Sequence, residues 1–391
     1  MPMRIAMLSW ESLNSIAVGG LAAHVTELAE ALQRLGHDVH VFTRMDAGQS
    51  RYDCIGGVHY HRCPFDPNAP FVQYIGRMCA AFRDRLQAAE RFYGWRFDVL
   101  HAHDWLCVQA LDLMTSEPGR RVVLTFHSTE FGRCGNRTCN GTSQAIRKIE
   151  CQGVQLAHRL ICVSGALAGE VRDLYSAPAE KVAVVYNGVN VHRFDGAING
   201  RAARRDLGIG EDDPIVLFVG RLTWQKAPDL MLAALPRILS DWPDVKFVFV
   251  GDGDMRAGLE GETSARGLHG GVRFLGYRNG AELVRLFKCA DVLSVPSRNE
   301  PFGIVVLEGW SAARPVVVTR NGGPSEFVRD QETGFLVQPT VESITCGLQA
   351  ALADPGKARR IGHRGRAEVE RRFNWEAIAR ETCDVYDSIT P

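Results

Sequence analysis

Residues 292–319, VLSVPSRNEPFGIVVLEGWSAARPVVVT, contain a complete strand–helix–strand unit, and this stretch decides the fold. The apolar runs at its two ends are rich in valine and carry no charge, which is typical of strands buried on both faces of a parallel sheet. Between them, Gly303 permits a tight turn into a helix that begins with the apolar residues Ile304 and Val305. A helix that connects two parallel strands is the repeating unit of doubly wound sheets. The stretch therefore predicts an α/β fold.

The same alternation of short apolar runs and longer segments of helical period extends along the whole chain. The first series of predicted strands is Arg4–Ser9, Val39–Thr43, Asp98–Ala102, Arg121–Phe126, Leu160–Val163 and Val182–Tyr186. The second series is Ile215–Gly220, Val245–Val250, Val272–Leu275, Val292–Val295 and Pro315–Thr319. Residues 21–36, LAAHVTELAEALQRLG, have apolar positions at helical spacing and end at Gly36, which predicts the first connecting helix.

A length of 391 residues favours two domains. The break lies in a polar, glycine-rich segment, VNVHRFDGAINGRAARRDLGIGEDDP. We therefore expect two Rossmann-like doubly wound domains, the first at residues 1–190 and the second at 214–373, with a linker at 191–213. Ligands of such sheets bind beyond the carboxyl ends of the strands, so we expect the domains to face a central cleft that holds the site.

The composition argues against several classes of protein. The formal net charge is zero, so no basic field would recruit nucleic acid. The first residues, MPMRIAMLSW, lack the order of a signal peptide, and no run approaches the roughly 18–20 apolar residues that span a bilayer. We therefore expect a cytoplasmic protein.

The 11 cysteines are an odd number, and in a reducing compartment most are expected to be small buried hydrophobic residues. Cys134, Cys139 and Cys151 lie close together in a polar segment, but their spacing is not the C-x-x-C form that zinc sites favour. We predict neither a metal nor a cofactor.

Two glutamates, Glu300 and Glu308, enclose seven residues at the predicted loop-to-helix turn. Backbone N–H groups from Phe302 to Ile304 start the helix, and such groups suit a diphosphate. Two carboxylates placed on either side of a diphosphate can hydrogen-bond the hydroxyls of a sugar and of a ribose. The alternative is a solvated loop carboxylate and an ordinary helix glutamate.

Two cations follow the predicted strand Ile215–Gly220, namely Arg221 and Lys226. They stand at the carboxyl end of a strand beside the next helix start, where cations meet an anionic ligand. Arginine offers a planar fork to phosphate oxygens and lysine a mobile point charge. Two ordinary surface cations are the alternative, and the nearby glutamate pair favours phosphate binding.

With these motifs the sequence resembles the large family of retaining GT-B glycosyltransferases that contains glycogen synthases and many α-mannosyl and α-glucosyl transferases. The matching features are GGLAAHVTELAEALQRLGHDV, FVGRLTWQKAPDLML, FVGDGD, RFLGY, the two glutamates and VTRNGGPSEFV. They span nearly the whole chain in the order of the family. The resemblance also implies that residues 374–391 cross back to the first domain.

The resemblance implies a role for each matching residue of the second domain. It places Arg221 and Lys226 at the diphosphate of the donor, Glu300 at the donor sugar and Glu308 at the ribose. It implies that Phe302, Gly303 and Ile304 supply backbone contacts, and that Tyr277 and Arg278 lie near the base.

In the first domain, the resemblance places Gly19 and Gly20 against the diphosphate or the acceptor, whereas alone they would indicate only a tight turn. It places His127, of the segment TFHSTEFGR, against the reacting sugar. A buried structural histidine is the alternative. His101, His103 and Asp104 end another strand on the same side, and we expect them to be secondary acceptor contacts.

The resemblance implies metal-independent transfer of a hexosyl group with retention of configuration, from an ADP-, UDP- or GDP-sugar to a saccharide acceptor. Among these possibilities we favour the synthesis of a glucan from ADP- or UDP-glucose. A lipid-directed transferase, a nucleotide-sugar epimerase and a non-catalytic sugar-nucleotide-binding protein remain alternatives.

The lipid alternative depends on the segment FVQYIGRMCAAFRDRL. Its apolar residues recur at helical spacing, at Phe71, Ile75, Met78, Phe82 and Leu86. With Arg77, Arg83 and Arg85 nearby, such a helix would suit a membrane surface. We favour a helix that packs this stripe on its own domain.

Overall fold

The computed structural model describes residues 2–114, 119–196 and 200–389. The chain separates into two compact units, the first formed by Met1–Gly188 and Trp375–Pro391 and the second by Val189–Asn374. Each unit is built on one predominantly parallel sheet, which confirms the predicted pair of Rossmann-like domains. The C-terminal segment belongs to the first unit, so the predicted return of the chain is also confirmed.

The first unit contains an eight-stranded sheet with the order β3-β4-β2-β1-β5-β6-β7-β8. Its strands are β1 (Arg4–Leu8), β2 (Asp38–Arg44), β3 (Tyr52–Ile55), β4 (Val58–Cys63), β5 (Val99–His103), β6 (Arg121–Phe126), β7 (Arg159–Cys162) and β8 (Val182–Val184). All neighbours pair in parallel except β3 and β4, which form a hairpin. The sequence analysis missed both strands of this hairpin, because their histidines, arginine and aspartate hide the apolar pattern. The strand order reverses at β1 and β5.

The helices of the first unit connect these strands, and two short 3₁₀ segments lie at Trp105–Cys107 and Ala179–Lys181. The helices are α1 (Gly20–Arg34), α2 (Phe71–Tyr93), α3 (Val108–Asp112), α4 (Glu130–Arg133), α5 (Thr142–Leu156) and α6 (Gly165–Tyr175). Helix α1 ends as predicted before Gly36, whose φ of 92° suits a glycine.

Helix α2 contains the apolar stripe that raised the lipid alternative. Ile75, Met78, Phe82 and Leu86 are completely buried, and only Phe71, at the start of the helix, is about half exposed. The stripe therefore packs on its own unit, as favoured above. Throughout the described ranges, no helix has both the length and the apolar character needed to cross a bilayer.

The second unit contains a six-stranded parallel sheet with the order β11-β10-β9-β12-β13-β14. Its strands are β9 (Ile215–Val219), β10 (Lys246–Val250), β11 (Val272–Gly276), β12 (Val292–Val295), β13 (Val316–Thr319) and β14 (Phe335–Val337). Its helices are α7 (Gly200–Asp206), α8 (Pro228–Asp241), α9 (Arg256–Ala265), α10 (Gly280–Cys289), α11 (Ile304–Ser311), α12 (Pro324–Phe327), α13 (Val341–Ala353) and α14 (Pro355–Arg372), with a 3₁₀ segment at Val191–Phe194. The strand order reverses between β9 and β12.

We expected residues 191–213 to form a linker between the two domains. In the structure, the described residues of this segment belong to the second unit. The Arg204 guanidinium donates to the Asp291 carboxylate at 2.6 Å and to the carbonyl oxygen of Cys289 at 2.9 Å. Phe194 is buried with its ring 5.9 Å from that of Phe287. These contacts fix a segment whose polarity alone indicated a free connection.

The last helix, α15 (Trp375–Asp387), packs on α1 of the first unit. Its buried residues belong to the hydrophobic core that also contains β1 and α1, namely Trp375, Ile378, Ala379, Val385 and Tyr386. The Tyr386 hydroxyl lies 2.7 Å from His101 Nδ1, and Trp375 Nε1 donates to the Glu27 carboxylate. The return of the chain thus completes the core of the first unit.

We expect Ile378→Ala to destabilise the first unit by about 2–5 kcal/mol, because it leaves a cavity in a side-chain site that is 2% exposed. The matched control is Arg380→Ala on the exposed face of the same helix, where the change should stay within about 0.5 kcal/mol. Hydrogen exchange of α1 and β1 and chemical denaturation would measure both. Equal protection of α1 in the two variants would contradict this role of α15.

Candidate functional site

The reversal of strand order between β9 and β12 brings together two of the predicted site residues. Lys226 follows β9, Glu300 follows β12, and Lys226 Nζ donates to both carboxylate oxygens of Glu300 at 2.8 Å. Glu300 is 4% exposed, whereas the Lys226 side chain keeps 23% of its surface accessible. A desolvated, bidentate pair of this kind fixes the position of the ammonium group.

Residues that the sequence analysis did not single out hold Glu300 in place. The Ser297 hydroxyl donates to Glu300 Oε2 at 2.8 Å. The N–H of Glu300 donates to the carbonyl oxygen of Asn321 at 3.2 Å, and the N–H of Gly323 donates to the carbonyl oxygen of Glu300 at 2.9 Å. Gly322 has a φ of 100°, and a Cβ there would lie 2.1 Å from the Glu300 carbonyl oxygen. The Asn-Gly-Gly sequence after β13 is the feature of the sequence that could have predicted this tight turn against Glu300.

Helix α11 begins directly beyond this pair. Its N-cap, Gly303, has a φ of 92° and, as a glycine, has no side chain of its own with which to cap the helix. The first N–H groups of a helix lack intrahelical acceptors and carry the positive end of the helix dipole. Ile304 is therefore placed to offer its amide to an anion, with Phe302 buried behind it. Glu308 lies farther along the same helix.

The remaining candidates of the second unit are more exposed. Arg221 is exposed, and its guanidinium donates to Gln225 Oε1 at 3.2 Å. Tyr277 is 49% exposed, and Arg278 forms an ion pair with Glu282 at 2.7 Å. These last two follow β11, which is separated from β9 by β10, so they lie away from the lysine–glutamate pair.

The corresponding loop of the first unit differs from the start of α11. Gly20 begins α1, and the N–H groups of Val18 and Gly19 donate to one carboxylate oxygen of Glu11 at 2.5 and 2.8 Å. Burial of Glu11 raises its pKa, and these two amide bonds act in the opposite direction. The Glu11 carboxylate therefore fixes the loop just before α1.

His127 follows β6, and its backbone is held by a strained neighbour. Its N–H donates to Asp104 Oδ1 at 2.8 Å. Asp104 has φ 58° and ψ 175°, a region that is nearly restricted to glycine and costs a residue with a side chain about 1–3 kcal/mol. Such strain is concentrated at functional sites. The sequence analysis expected Asp104 to be a secondary contact of the acceptor. In the structure, its carboxylate instead positions the backbone of His127.

The histidine rings form a buried network. His127 Nε2 lies 3.1 Å from His103 Nδ1, and His24 packs on both rings. Burial lowers the pKa of His127 to about 3 and that of His103 well below its usual value, so both rings are neutral near pH 7. His101 is hydrogen-bonded to Tyr386 and to Thr125, both at 2.7 Å. We expected His101 to contact the sugar acceptor, but in the structure both of its ring nitrogens bond to other residues of the first unit.

Two groups among the described residues have three candidate metal ligands whose donor atoms lie within 4.8 Å of one another. They are His24 with His103 and His127, and Asp38 with His40 and His59. Cys134, Cys139 and Cys151 form no such group in the described chain. The Cys134 sulfur instead contacts the Ser143 hydroxyl at 3.3 Å.

Comparison with known proteins identifies two family models that together match most of the chain. The model of glycosyl transferases group 1 matches residues 200–368, and that of glycosyltransferase family 4 matches residues 18–193. The boundary between them lies close to the boundary between the two units.

Individual relatives match nearly the whole chain. An uncharacterized glycosyltransferase of Methanocaldococcus jannaschii is 36% identical over 98% of both chains. A glycogen synthase of Mycobacterium tuberculosis is 30% identical over 98% of this chain and 94% of its own length. A D-inositol 3-phosphate glycosyltransferase of Streptomyces scabiei is 31% identical over 98% of this chain and 91% of its own length.

Among solved structures, sucrose-phosphate synthase from Thermosynechococcus elongatus superimposes with a TM-score of 0.84, at 26% identity and 98% coverage of both chains. The two sheets agree with the fold of this structure, and the family models and relatives agree on a glycosyltransferase. The chain belongs to the group 1 family of GT-B glycosyltransferases.

Proposed function

We propose that this protein is a retaining hexosyltransferase that moves glucose from a nucleotide diphosphate sugar to a saccharide acceptor, in the manner of a glycogen synthase. The observation that carries the proposal is the Lys226–Glu300 pair beside the uncapped start of α11. The name of the M. tuberculosis relative favours a glucan product, and that of the S. scabiei relative makes inositol phosphate the competing acceptor.

The leaving diphosphate would bind to the cations and amides of the second unit. Lys226 supplies a charge whose position Glu300 fixes, Arg221 supplies a planar fork, and the first amides of α11 supply dipoles. The contrast with the first unit supports this placement, because the carboxylate of Glu11 already occupies the amides of Val18 and Gly19. Glu308 is assigned to the ribose and Glu300 to hydroxyls of the donor sugar.

In the reaction that we propose, the bond between the anomeric carbon and the phosphate oxygen breaks, and its electron pair leaves with the diphosphate. Arg221 and Lys226 stabilise the negative charge that develops there. The departing phosphate accepts the proton of the attacking acceptor hydroxyl on the same face of the sugar. The new glycosidic bond therefore has the configuration of the old one.

His127 would orient the reacting sugar and would not donate a proton to it. Its ring is neutral near pH 7 because burial lowers its pKa to about 3. The bond from its N–H to Asp104 fixes the backbone at this point, which suits a contact made through a main-chain carbonyl or a neutral ring. We place the reaction in the cytoplasm, since all 11 cysteines are free thiols.

A donor panel tests the function. ADP-, UDP- and GDP-sugars should be compared by thermal shift, because a bound donor stabilises the fold by mass action. The stabilising donor is then incubated with a maltooligosaccharide, and the anomeric configuration of the product is determined by NMR. Elongation with retention is expected. Conversion of the donor without an acceptor would identify an epimerase instead, and transfer to lipid or inositol phosphate alone would correct the acceptor.

We expect Glu300→Gln and Glu308→Ala to affect the kinetics differently. Glu300→Gln removes the charge that positions Lys226 and binds the reacting sugar, so kcat should fall by about 10²–10³. Glu308→Ala removes a contact to the unreactive ribose, so the donor KM should rise by an amount equivalent to roughly 1.5–3 kcal/mol. Steady-state kinetics with varied donor would measure both.

The matched control is Glu262→Gln, in which a glutamate of α9 that pairs with Arg266 at 2.8 Å loses its charge, and neither residue is assigned to the donor. Its rates should equal those of the wild type, and circular dichroism should show that all three variants are folded. A folded Glu300→Gln enzyme with wild-type kcat at saturating donor would refute the assignment of the sugar site.

We also expect EDTA to leave the rate of transfer unchanged, because Arg221 and Lys226 supply the positive charge that the leaving group requires. The measurement is the initial rate with and without the chelator, followed by addition of manganese. Loss of activity with EDTA and recovery with manganese would contradict the metal-independent mechanism.

A further inference from the structure

A second group of candidate ligands lies near the amino ends of β2 and β4 in the first unit. Asp38 is the first residue of β2, and His40 projects from the same face two residues later. His59 is the second residue of β4, and the parallel register places it beside His40. The sequence analysis predicted no metal here, because these residues are distant in sequence and show no ligand motif.

Two of the distances between donor atoms in this group are close to those found around a tetrahedral ion. Asp38 Oδ1 lies 3.1 Å from His40 Nε2 and 3.7 Å from His59 Nε2. An ion about 2.0–2.1 Å from each ligand would separate the ligand atoms by roughly 3.4 Å. With the buried His40 held in place, the partly exposed side chains of Asp38 and His59 would have to reorient to surround the ion.

In both histidines, the Nδ1 atom, which would face away from the ion, is hydrogen-bonded to another side chain, as is common for metal ligands. His40 Nδ1 is hydrogen-bonded to His61 Nε2 at 2.9 Å, and His59 Nδ1 to the Tyr52 hydroxyl at 2.7 Å. A metal-binding histidine uses its second ring nitrogen in this way, which fixes the orientation of the ring. Both Nε2 atoms approach the same aspartate oxygen, but the two rings are stacked with centroids 4.4 Å apart, so the His59 ring has to rotate before both nitrogens can face one ion.

The group is accessible to solvent. The side chains of Asp38 and His59 are 42% and 26% exposed, while His40 is buried at the base. Solvent access also leaves room for a water molecule as a fourth ligand.

We propose that Asp38, His40 and His59 bind one Zn²⁺ ion, with water as the fourth ligand. Two imidazoles and a carboxylate are ligands that zinc accepts in tetrahedral sites. The ion would connect β2 to the β3–β4 hairpin and so stabilise the first unit. It takes no part in sugar transfer, and the proposal is independent of the proposed function.

The experiment uses the full chain, freed of metal by a chelator and dialysed. Zinc chloride is titrated by calorimetry, and the thermal shift is recorded for the same samples. The wild type should bind one ion per chain and melt at a higher temperature with zinc. His59→Ala and Asp38→Asn should lose both effects, and these partly exposed sites tolerate substitution.

Two further variants separate a ligand role from a general effect of charge. Tyr52→Phe removes the hydroxyl that bonds His59 Nδ1, and it should weaken zinc binding by about 10–100-fold, as expected for a residue that orients a ligand. His192→Ala is the matched control, because His192 is an exposed histidine paired with Asp195 at 2.8 Å in the second unit. It should bind zinc as the wild type does.

Three results would overturn the proposal. One is a wild type that takes up no more zinc than His59→Ala. Another is a Tyr52→Phe variant with undiminished affinity. The third is loss of the ion in His127→Ala but not in His59→Ala, which would assign it to the group formed by His24, His103 and His127. Circular dichroism before titration ensures that each comparison is made between folded proteins.

Discussion

The bidentate bond between Lys226 and Glu300 is the interaction on which the chemistry that we propose for the second unit depends. It joins the ends of β9 and β12, the two strands between which the order of the sheet reverses. Glu300 in turn is held by the Ser297 hydroxyl and by the backbone of the Asn-Gly-Gly turn. Because a buried carboxylate and an ammonium group are costly to desolvate, this arrangement persists only while each partner remains paired. It fixes a positive charge beside the start of α11.

The two units differ in what contacts the backbone N–H groups around the first turn of a helix. Both have a glycine turn that leads from a strand into a helix with no side-chain cap. In the first unit, the Glu11 carboxylate accepts the amides of Val18 and Gly19, so the protein supplies its own anion. The start of α11 has no such carboxylate among its described cap contacts. This difference supports our proposal that the start of α11 holds a ligand.

The first unit contains a strained residue, Asp104, beside a network of histidine rings. Asp104 adopts a backbone conformation that disfavours side chains, and its carboxylate fixes the N–H of His127. Burial keeps the rings of His103 and His127 neutral, so the network positions groups without adding charge. Helix α15 supports the network from behind through the bond between Tyr386 and His101. The return of the chain therefore serves both the core and the site.

The sequence by itself determined the α/β class, most strands, the first helix and the family, because apolar periodicity and glycine positions depend on local geometry. It missed β3, β4 and β14, which are short or polar. It also identified Lys226, Glu300 and His127 as candidates. Only the tertiary structure decided that Lys226 pairs with Glu300, that Glu11 fills the first glycine turn, and that residues 191–213 belong to the second unit. These contacts depend on strand order, register and side-chain direction, and none of the three can be read from spacing along one chain.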